Sequence, residues 1–168
     1  MKTARAFTLV EVLIVTVLLG VLAAIVIPSV ANSTTSAKDS ALATDLQLFR
    51  RFILVYKAHH LEVAPGYPNG NTSAAPTELA FIQQATMSSN AGGQTAAIGT
   101  PGFNRGPYMQ RIPANPFNNK STIQMLGNGE DFPANADDSH GWIYKADTAE
   151  IRADSAGTDN SGKRYYDY

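Results

Sequence analysis

Positions 7–27 are apolar along almost their whole length, with one acidic residue, Glu11, close to the start. The run is about as long as the roughly 20 residues that a helix needs to cross the hydrocarbon core of a bilayer. A carboxylate in such a segment costs on the order of 2.5–3.5 kcal/mol at mid-bilayer, and less near an interface, so it needs a compensating partner. No basic residue lies within the run. The pattern therefore predicts a membrane-length helix whose carboxylate is partnered from outside it.

After Pro28 the chain changes from apolar on every side to apolar on one side only. No Gly or Pro interrupts positions 29–63, and Pro65-Gly66 provides a stop signal. An apolar stripe recurs there at spacings of four and three residues, widened by two neighbours, which is the pattern of an amphipathic helix: Leu42, Leu46, Phe49, Ile53 and Tyr56, with Phe52 and Val55. We expect one long helix with a bend at Pro28, apolar over 7–28 and amphipathic over 29–62. His59 and His60, at its end, are expected on the surface, where a helix C-terminus favours partial positive charge.

Positions 63–139 are a variable region rich in turn chemistry, with Gly, Pro, Asn and Ser spaced along it. Residues 77–86 are predicted to form a short helix capped by Thr77. Met109, Ile112 and Phe117 belong to an apolar island that is expected to fill part of a core. For part of 87–107 a disordered loop is an open alternative, because that stretch is low in complexity.

The last part of the chain returns to strand-like patterning. Positions 140–153 contain two short runs rich in aromatic and β-branched residues around a turn, which predicts a β-hairpin. Trp142, Tyr144 and Ile151 are expected to cover the long helix. A few antiparallel strands packed on one amphipathic helix close a core that neither forms alone. We therefore predict an α+β fold, with one long N-terminal helix packed on a small antiparallel sheet and long loops.

Residues 154–168 are predicted to form a loop with oxygen ligands. Asp154, Asp159, Asn160 and Ser161 lie in a Gly-flanked stretch, and calcium takes six to eight oxygen ligands in such settings. The spacing does not match an EF-hand, and Lys163 and Arg164 follow at once. Two interpretations of this loop stay open, as follows. Asp154 and Asp159 hold calcium, or the tail 165–168 secures the loop by packing.

Composition excludes several classes of function. The formal net charge is -1, so no basic surface is available to follow a nucleic-acid backbone. The absence of cysteine rules out disulfides and thiolate zinc sites. No zinc-protease motif, nucleophile elbow or phosphate-binding glycine loop is present, so we do not expect an enzyme.

Positions 1–6 are expected to be a basic leader peptide. Lys2 and Arg5 favour retention of this end in the cytoplasm. A cut between Ala6 and Phe7 would create an ammonium group four residues before Glu11, about one helical turn away. Two alternatives are a secretory signal peptide, for which 29–31 offers a small-residue cleavage site, and a plain membrane anchor.

Ala6 followed by Phe7-Thr8-Leu9-Val10-Glu11 and a long apolar helix resembles the class III signal of type IV pilins and type II secretion pseudopilins. The resemblance implies that prepilin peptidase cleaves between Ala6 and Phe7 and methylates Phe7, and that Glu11 docks the subunit during assembly. It implies a homo-oligomeric helical filament, an inner-membrane assembly platform and minor pseudopilins as partners. It also implies a single-pass inner-membrane protein with its C-terminal domain in the periplasm. Ala6 departs from the family, which usually has Gly there.

Landmarks after the helix resemble major pseudopilins of the GspG type, in which the loop after the hairpin binds calcium. They include the stretches at 109–117, 141–144 and 154–159. The resemblance implies calcium near Asp154 and Asp159. It favours a subunit of a type II secretion pseudopilus that drives protein export. The alternatives are a type IV pilus subunit for adhesion, motility or DNA uptake, and a membrane-tethered ligand-binding module.

Overall fold

A computed structural model describes the backbone of residues 7–168, and the side chains at 28, 29, 31 and 32 are left out of the description. The chain divides into two compact units, Met1–Ala37 and Lys38–Tyr168, and each is treated by itself. Helix α1 runs over Leu9–His59, so the predicted long helix is confirmed. Its backbone stays helical through position 28, and the bend expected at Pro28 stays a prediction.

The second half of α1 supplies one wall of the core. The predicted stripe residues are buried, apart from Val55, which is half-buried: Leu42, Leu46, Phe49, Phe52, Ile53 and Tyr56. The predicted amphipathic pattern is therefore confirmed. His60 was expected on the surface, and that prediction is wrong. It is buried because it continues the stripe four residues after Tyr56, on whose ring it stacks with 3.8 Å between centroids.

Helix α2 covers Glu78–Thr86, close to its predicted bounds. The Thr77 hydroxyl accepts a hydrogen bond from the Ala80 amide at 3.2 Å, which confirms the predicted cap. Phe81 is fully buried and meets Phe52 edge to face at 5.4 Å and Tyr144 at 4.7 Å between centroids. Helix α2 is thereby attached to both α1 and the sheet.

Five short strands make two sheets in the described part of the chain. Strands β1 (Ser88–Ser89) and β2 (Thr95–Ala96) pair antiparallel, so the disordered loop considered for part of 87–107 is not observed there. Strand β4 (Trp142–Lys145) pairs antiparallel with β5 (Glu150–Ala153), as the hairpin prediction requires. Strand β3 (Ile123–Leu126) lies on the other side of β4 and runs parallel to it. The sheet is thus mixed, which corrects the fully antiparallel sheet expected.

The core lies between the inner face of α1, helix α2 and the three-stranded sheet. Trp142, Tyr144 and Ile151 are fully buried in it, as predicted. The apolar island also fills part of it, with Met109 buried and Ile112 and Phe117 packed against the cluster. Two single-turn 3₁₀ helices, Pro68–Gly70 and Tyr165–Asp167, lie in the connecting segments. The predicted α+β architecture, one long helix with a small sheet and long loops, is confirmed.

Candidate functional site

The first turn of α1 is closed by Thr8 and Glu11. The Glu11 Oε2 atom accepts hydrogen bonds from the Thr8 amide and the Thr8 hydroxyl, each at 2.8 Å. In return, the Glu11 amide donates to the Thr8 hydroxyl oxygen at 3.2 Å. This reciprocal arrangement is a capping box, and it places a carboxylate at the positive end of the helix. Sequence reasoning missed Thr8, although Thr-Leu-Val-Glu has the spacing that predicts such a box.

No other described part of the chain covers the helix that follows. The segment Leu9–Ile27 has a mean hydropathy of 2.9, with none of it buried, and is long and apolar enough to cross a membrane. Its large side chains are at least half exposed, and Phe7, just before it, is 86% exposed. Exposed apolar surface of this extent indicates a membrane or a protein partner. Ala6, the other residue at the predicted cut, lies outside the described residues.

Asp154 is fully buried at the end of β5 and organises the neighbouring 137–140 turn. Its Oδ1 atom accepts from the amides of Asp137 and Asp138, at 3.0 and 3.2 Å. Its Oδ2 atom accepts from the His140 amide at 2.8 Å and the Ser139 hydroxyl at 3.3 Å. An ionised carboxylate has about four acceptor positions, so the four donors occupy the group. Asp154 is a structural anchor for this turn.

Asn118 holds the other side of the same turn. Its side-chain amide donates to the carbonyl oxygens of His140 and Asp154, at 2.6 and 2.8 Å. In the sequence, Asn118 lies in the turn-rich region 63–139 and has no other distinguishing feature. Nothing in the local spacing pointed to this bridge, because its partners lie 22 and 36 residues further along the chain.

Asp159 has a separate set of partners. Its Oδ1 atom accepts from the amide and hydroxyl of Ser161, at 2.8 and 2.7 Å, and from the Lys163 amide at 2.9 Å. Its Oδ2 atom accepts from the Tyr168 hydroxyl at 2.5 Å. These hydrogen bonds, that of Tyr168 first, hold the pKa of Asp159 well below its usual range.

The two carboxylates do not fit the calcium site that the resemblance implies. They bind different parts of the chain, and N–H and O–H donors already occupy their oxygens. Over residues 7–168, no three Asp, Glu, His or Cys side chains come together in a way that could hold a metal ion. Calcium would need six to eight oxygen ligands.

Comparison with known proteins finds two similarities, one at the N-terminus and one over most of the chain. Residues 1–27 match the family model described as the prokaryotic N-terminal methylation motif. Over 125 residues the chain is 26% identical to type II secretion system core protein G of Escherichia coli (strain K12), covering 73% of each chain. It is 28% identical over 130 residues to the protein of the same name from Klebsiella pneumoniae, covering 77% of this chain and 79% of that one. No solved structure matches the chain.

These likenesses agree with the geometry. The methylation motif coincides with the capping box and the exposed apolar helix, and the similarity to core protein G extends over most of the chain. The exposed helix is long and apolar enough to anchor the chain in a membrane. By its N-terminal motif and by its similarity over most of its length, the chain resembles type II secretion system core protein G.

Proposed function

We propose that this chain is a subunit of a helical type II secretion pseudopilus, assembled from the inner membrane to drive protein export. The observation that carries the proposal is the exposed apolar helix Leu9–Ile27, whose first turn holds a carboxylate. Leaving that surface in water is unfavourable, because each CH₂ group removed from water stabilises the system by about 0.8 kcal/mol. Lipid covers it before assembly, and other copies of the chain cover it afterwards.

Processing prepares the chain for assembly. Lys2 and Arg5 keep the leader in the cytoplasm, so residues 7–27 span the inner membrane and the C-terminal domain lies in the periplasm. Prepilin peptidase hydrolyses the peptide bond between Ala6 and Phe7, which frees an amine on Phe7, and then methylates that amine. The new ammonium is the cation that the apolar run itself lacks.

Glu11 guides the assembly of processed chains. Moving an apolar helix from lipid into a bundle gains little, because lipid tails are as apolar as leucine, so packing and polar contacts must direct association. Glu11 pairs with the Phe7 ammonium of an adjacent subunit. Before that, Thr8 satisfies the Glu11 carboxylate within its own chain. An inner-membrane assembly platform extracts the chain, and minor pseudopilins are its other partners.

The test compares four chains expressed in a secreting host. Glu11→Leu is expected to insert into the membrane normally but to lower filament yield roughly tenfold or more, since it removes a charge pair from a nonpolar setting. Thr16→Val is the matched control, because the Thr16 hydroxyl donates to the Leu13 carbonyl within the same helix. Thr8→Val removes the local partner but keeps the charge. If Thr8→Val and Glu11→Leu lose assembly equally, Glu11 acts only as a cap and the pairing is wrong.

The biological role is tested by removing the chain from its host. Loss of exported proteins from the medium, with the proteins retained in the periplasm, supports the secretion pseudopilus. Unchanged export together with the loss of long surface filaments would indicate a type IV pilus subunit. A chain that stays monomeric after mild detergent extraction would indicate a membrane-tethered binding module.

A further inference from the structure

The segment 154–168 folds back on itself through its own backbone. The Asp159 amide donates to the Lys163 carbonyl at 2.9 Å, and the Gly162 amide donates to the Asp159 carbonyl at 3.0 Å. Thr158 and Arg164 form an antiparallel bridge just outside this turn. The segment is therefore a closed turn around Asp159.

The Asp159 carboxylate joins this turn to Tyr168 at the end of the segment. One oxygen accepts three hydrogen bonds from Ser161 and Lys163, and the other accepts from the Tyr168 hydroxyl. Four donors therefore bind the group, three on one oxygen and the Tyr168 hydroxyl on the other. A cation that bound both carboxylate oxygens would have to displace these donors.

Tyr168 is held in place by contacts other than Asp159. Its carbonyl oxygen accepts a hydrogen bond from Arg50 Nη2 of α1 at 2.7 Å. The Lys163 ammonium lies 4.4 Å from the centre of its ring, within the range of a cation–π contact. The hydroxyl is thus presented to Asp159 by a residue anchored on the long helix.

The charges around the turn oppose a divalent cation. Lys163 and Arg164 follow the turn directly. The nearby carboxylate of Asp167 is taken by Arg164 through two hydrogen bonds of 2.7 and 2.9 Å. A calcium ion would meet two cations and the carboxylates of Asp159 and Asp167, both already hydrogen-bonded, where it needs several free oxygens.

We propose that Tyr168 closes the 154–168 segment on Asp159 without calcium, its hydroxyl occupying the carboxylate oxygen that the metal would need. This chain therefore departs from the calcium-holding loop that its family resemblance implies. The segment keeps its fold when calcium is removed. Closure of this loop does not depend on filament assembly.

The test uses the full chain in detergent micelles and follows trypsin cleavage after Lys163 and Arg164 by mass spectrometry. Opening of the turn exposes both sites, so the cleavage rate reports the open population. Wild-type cleavage is expected to be the same in excess calcium and in excess chelator. Tyr168→Phe is expected to raise the rate roughly tenfold in both, because it removes a hydrogen bond to a charged group.

Tyr67→Phe is the matched control, since Tyr67 donates an equivalent hydrogen bond to Asn128 outside the segment, at 2.8 Å. It should leave cleavage at 163 and 164 unchanged. Calcium that slows cleavage of the wild-type chain, or raises its melting temperature with a saturable dependence, would overturn the proposal. So would a Tyr168→Phe chain that is cleaved at the wild-type rate.

Discussion

Phe49 and Trp142 meet edge to face in the centre of the core, with 4.9 Å between ring centroids and both side chains fully buried. One belongs to α1 and the other to β4, so this contact joins the long helix to the sheet. Edge-to-face aromatic pairs add about 0.5–1.5 kcal/mol beyond the burial of their area. Both residues belong to the hydrophobic core of the second unit, Lys38–Tyr168.

Phe49→Ala is therefore expected to lower the free energy of unfolding by about 3–5 kcal/mol, as large-to-small changes of buried aromatic residues do. Leu54→Ala on the same helix is the control, because Leu54 is 70% exposed. It should change stability by less than about 0.5 kcal/mol. Urea unfolding followed by tryptophan fluorescence measures both, and equal effects would contradict this assignment of the core.

Asp154→Asn is expected to destabilise the chain by about 2–3 kcal/mol. The substitution replaces one carboxylate oxygen with an NH₂ group, which cannot accept the hydrogen bonds that backbone amides now donate to that oxygen. Asp131→Asn provides the control, since Asp131 is fully exposed and its ammonium partner on Lys145 lies 3.9 Å away. That change should cost less than about 0.5 kcal/mol. Chemical unfolding of the two variants, measured side by side, checks the difference. A tolerated Asp154→Asn would mean that the 137–140 turn is held by other contacts.

His60 is expected to make the stability of the chain sensitive to mild acid. Burial lowers the pKa of His60, while its hydrogen bond to the Tyr56 carbonyl partly opposes the shift. The unfolded chain then binds more protons than the folded one just below the ordinary histidine pKa of about 6.5. Stability should therefore fall as pH decreases through that value. The melting temperature of His60→Gln should depend less on pH between about 5 and 7 than that of His59→Gln, whose site is exposed. Parallel pH profiles for the two variants would exclude this role.

The mature N-terminus gives a direct check of processing. Intact-mass measurement of the membrane-extracted chain is expected to show a start at Phe7 with one added methyl group. Ala6→Gly, which restores the residue usual in the family, should be processed at least as fast. A chain that begins at Asn32 would instead indicate an ordinary signal peptide, and an uncut chain would indicate a plain anchor.

Several features of this protein were predictable from its sequence because they depend on residues close together in the chain. The stripe from Leu42 to Tyr56 follows the turn of a helix, and the Thr77 cap needs only a hydroxyl at the right offset. The same spacing extends to His60, so its burial was also available from the pattern. The preference of a helix C-terminus for positive charge favours a surface position instead, and that prediction is wrong for His60.

Other features depend on pairs of residues that no local pattern relates. The parallel pairing of β3 with β4 joins Ile123 to Trp142, and parallel strands require a long connection whose path is set by the core. Asp154 and Asp159 are five positions apart in the sequence, yet each carboxylate is bound by a different part of the chain. The sequence predicted oxygen ligands for a metal in this loop. It did not show that these oxygens already accept hydrogen bonds from N–H and O–H groups.

The sequence by itself determined the membrane-length helix, the carboxylate at its first turn and the amphipathic face that follows, because helical periodicity and local charge need no knowledge of the rest of the fold. Tertiary structure alone decided that Tyr168 reaches Asp159 and that β3 runs parallel to β4. Those contacts form only when α1, the sheet and the last residues are packed together, since packing sets which distant groups come within hydrogen-bonding distance.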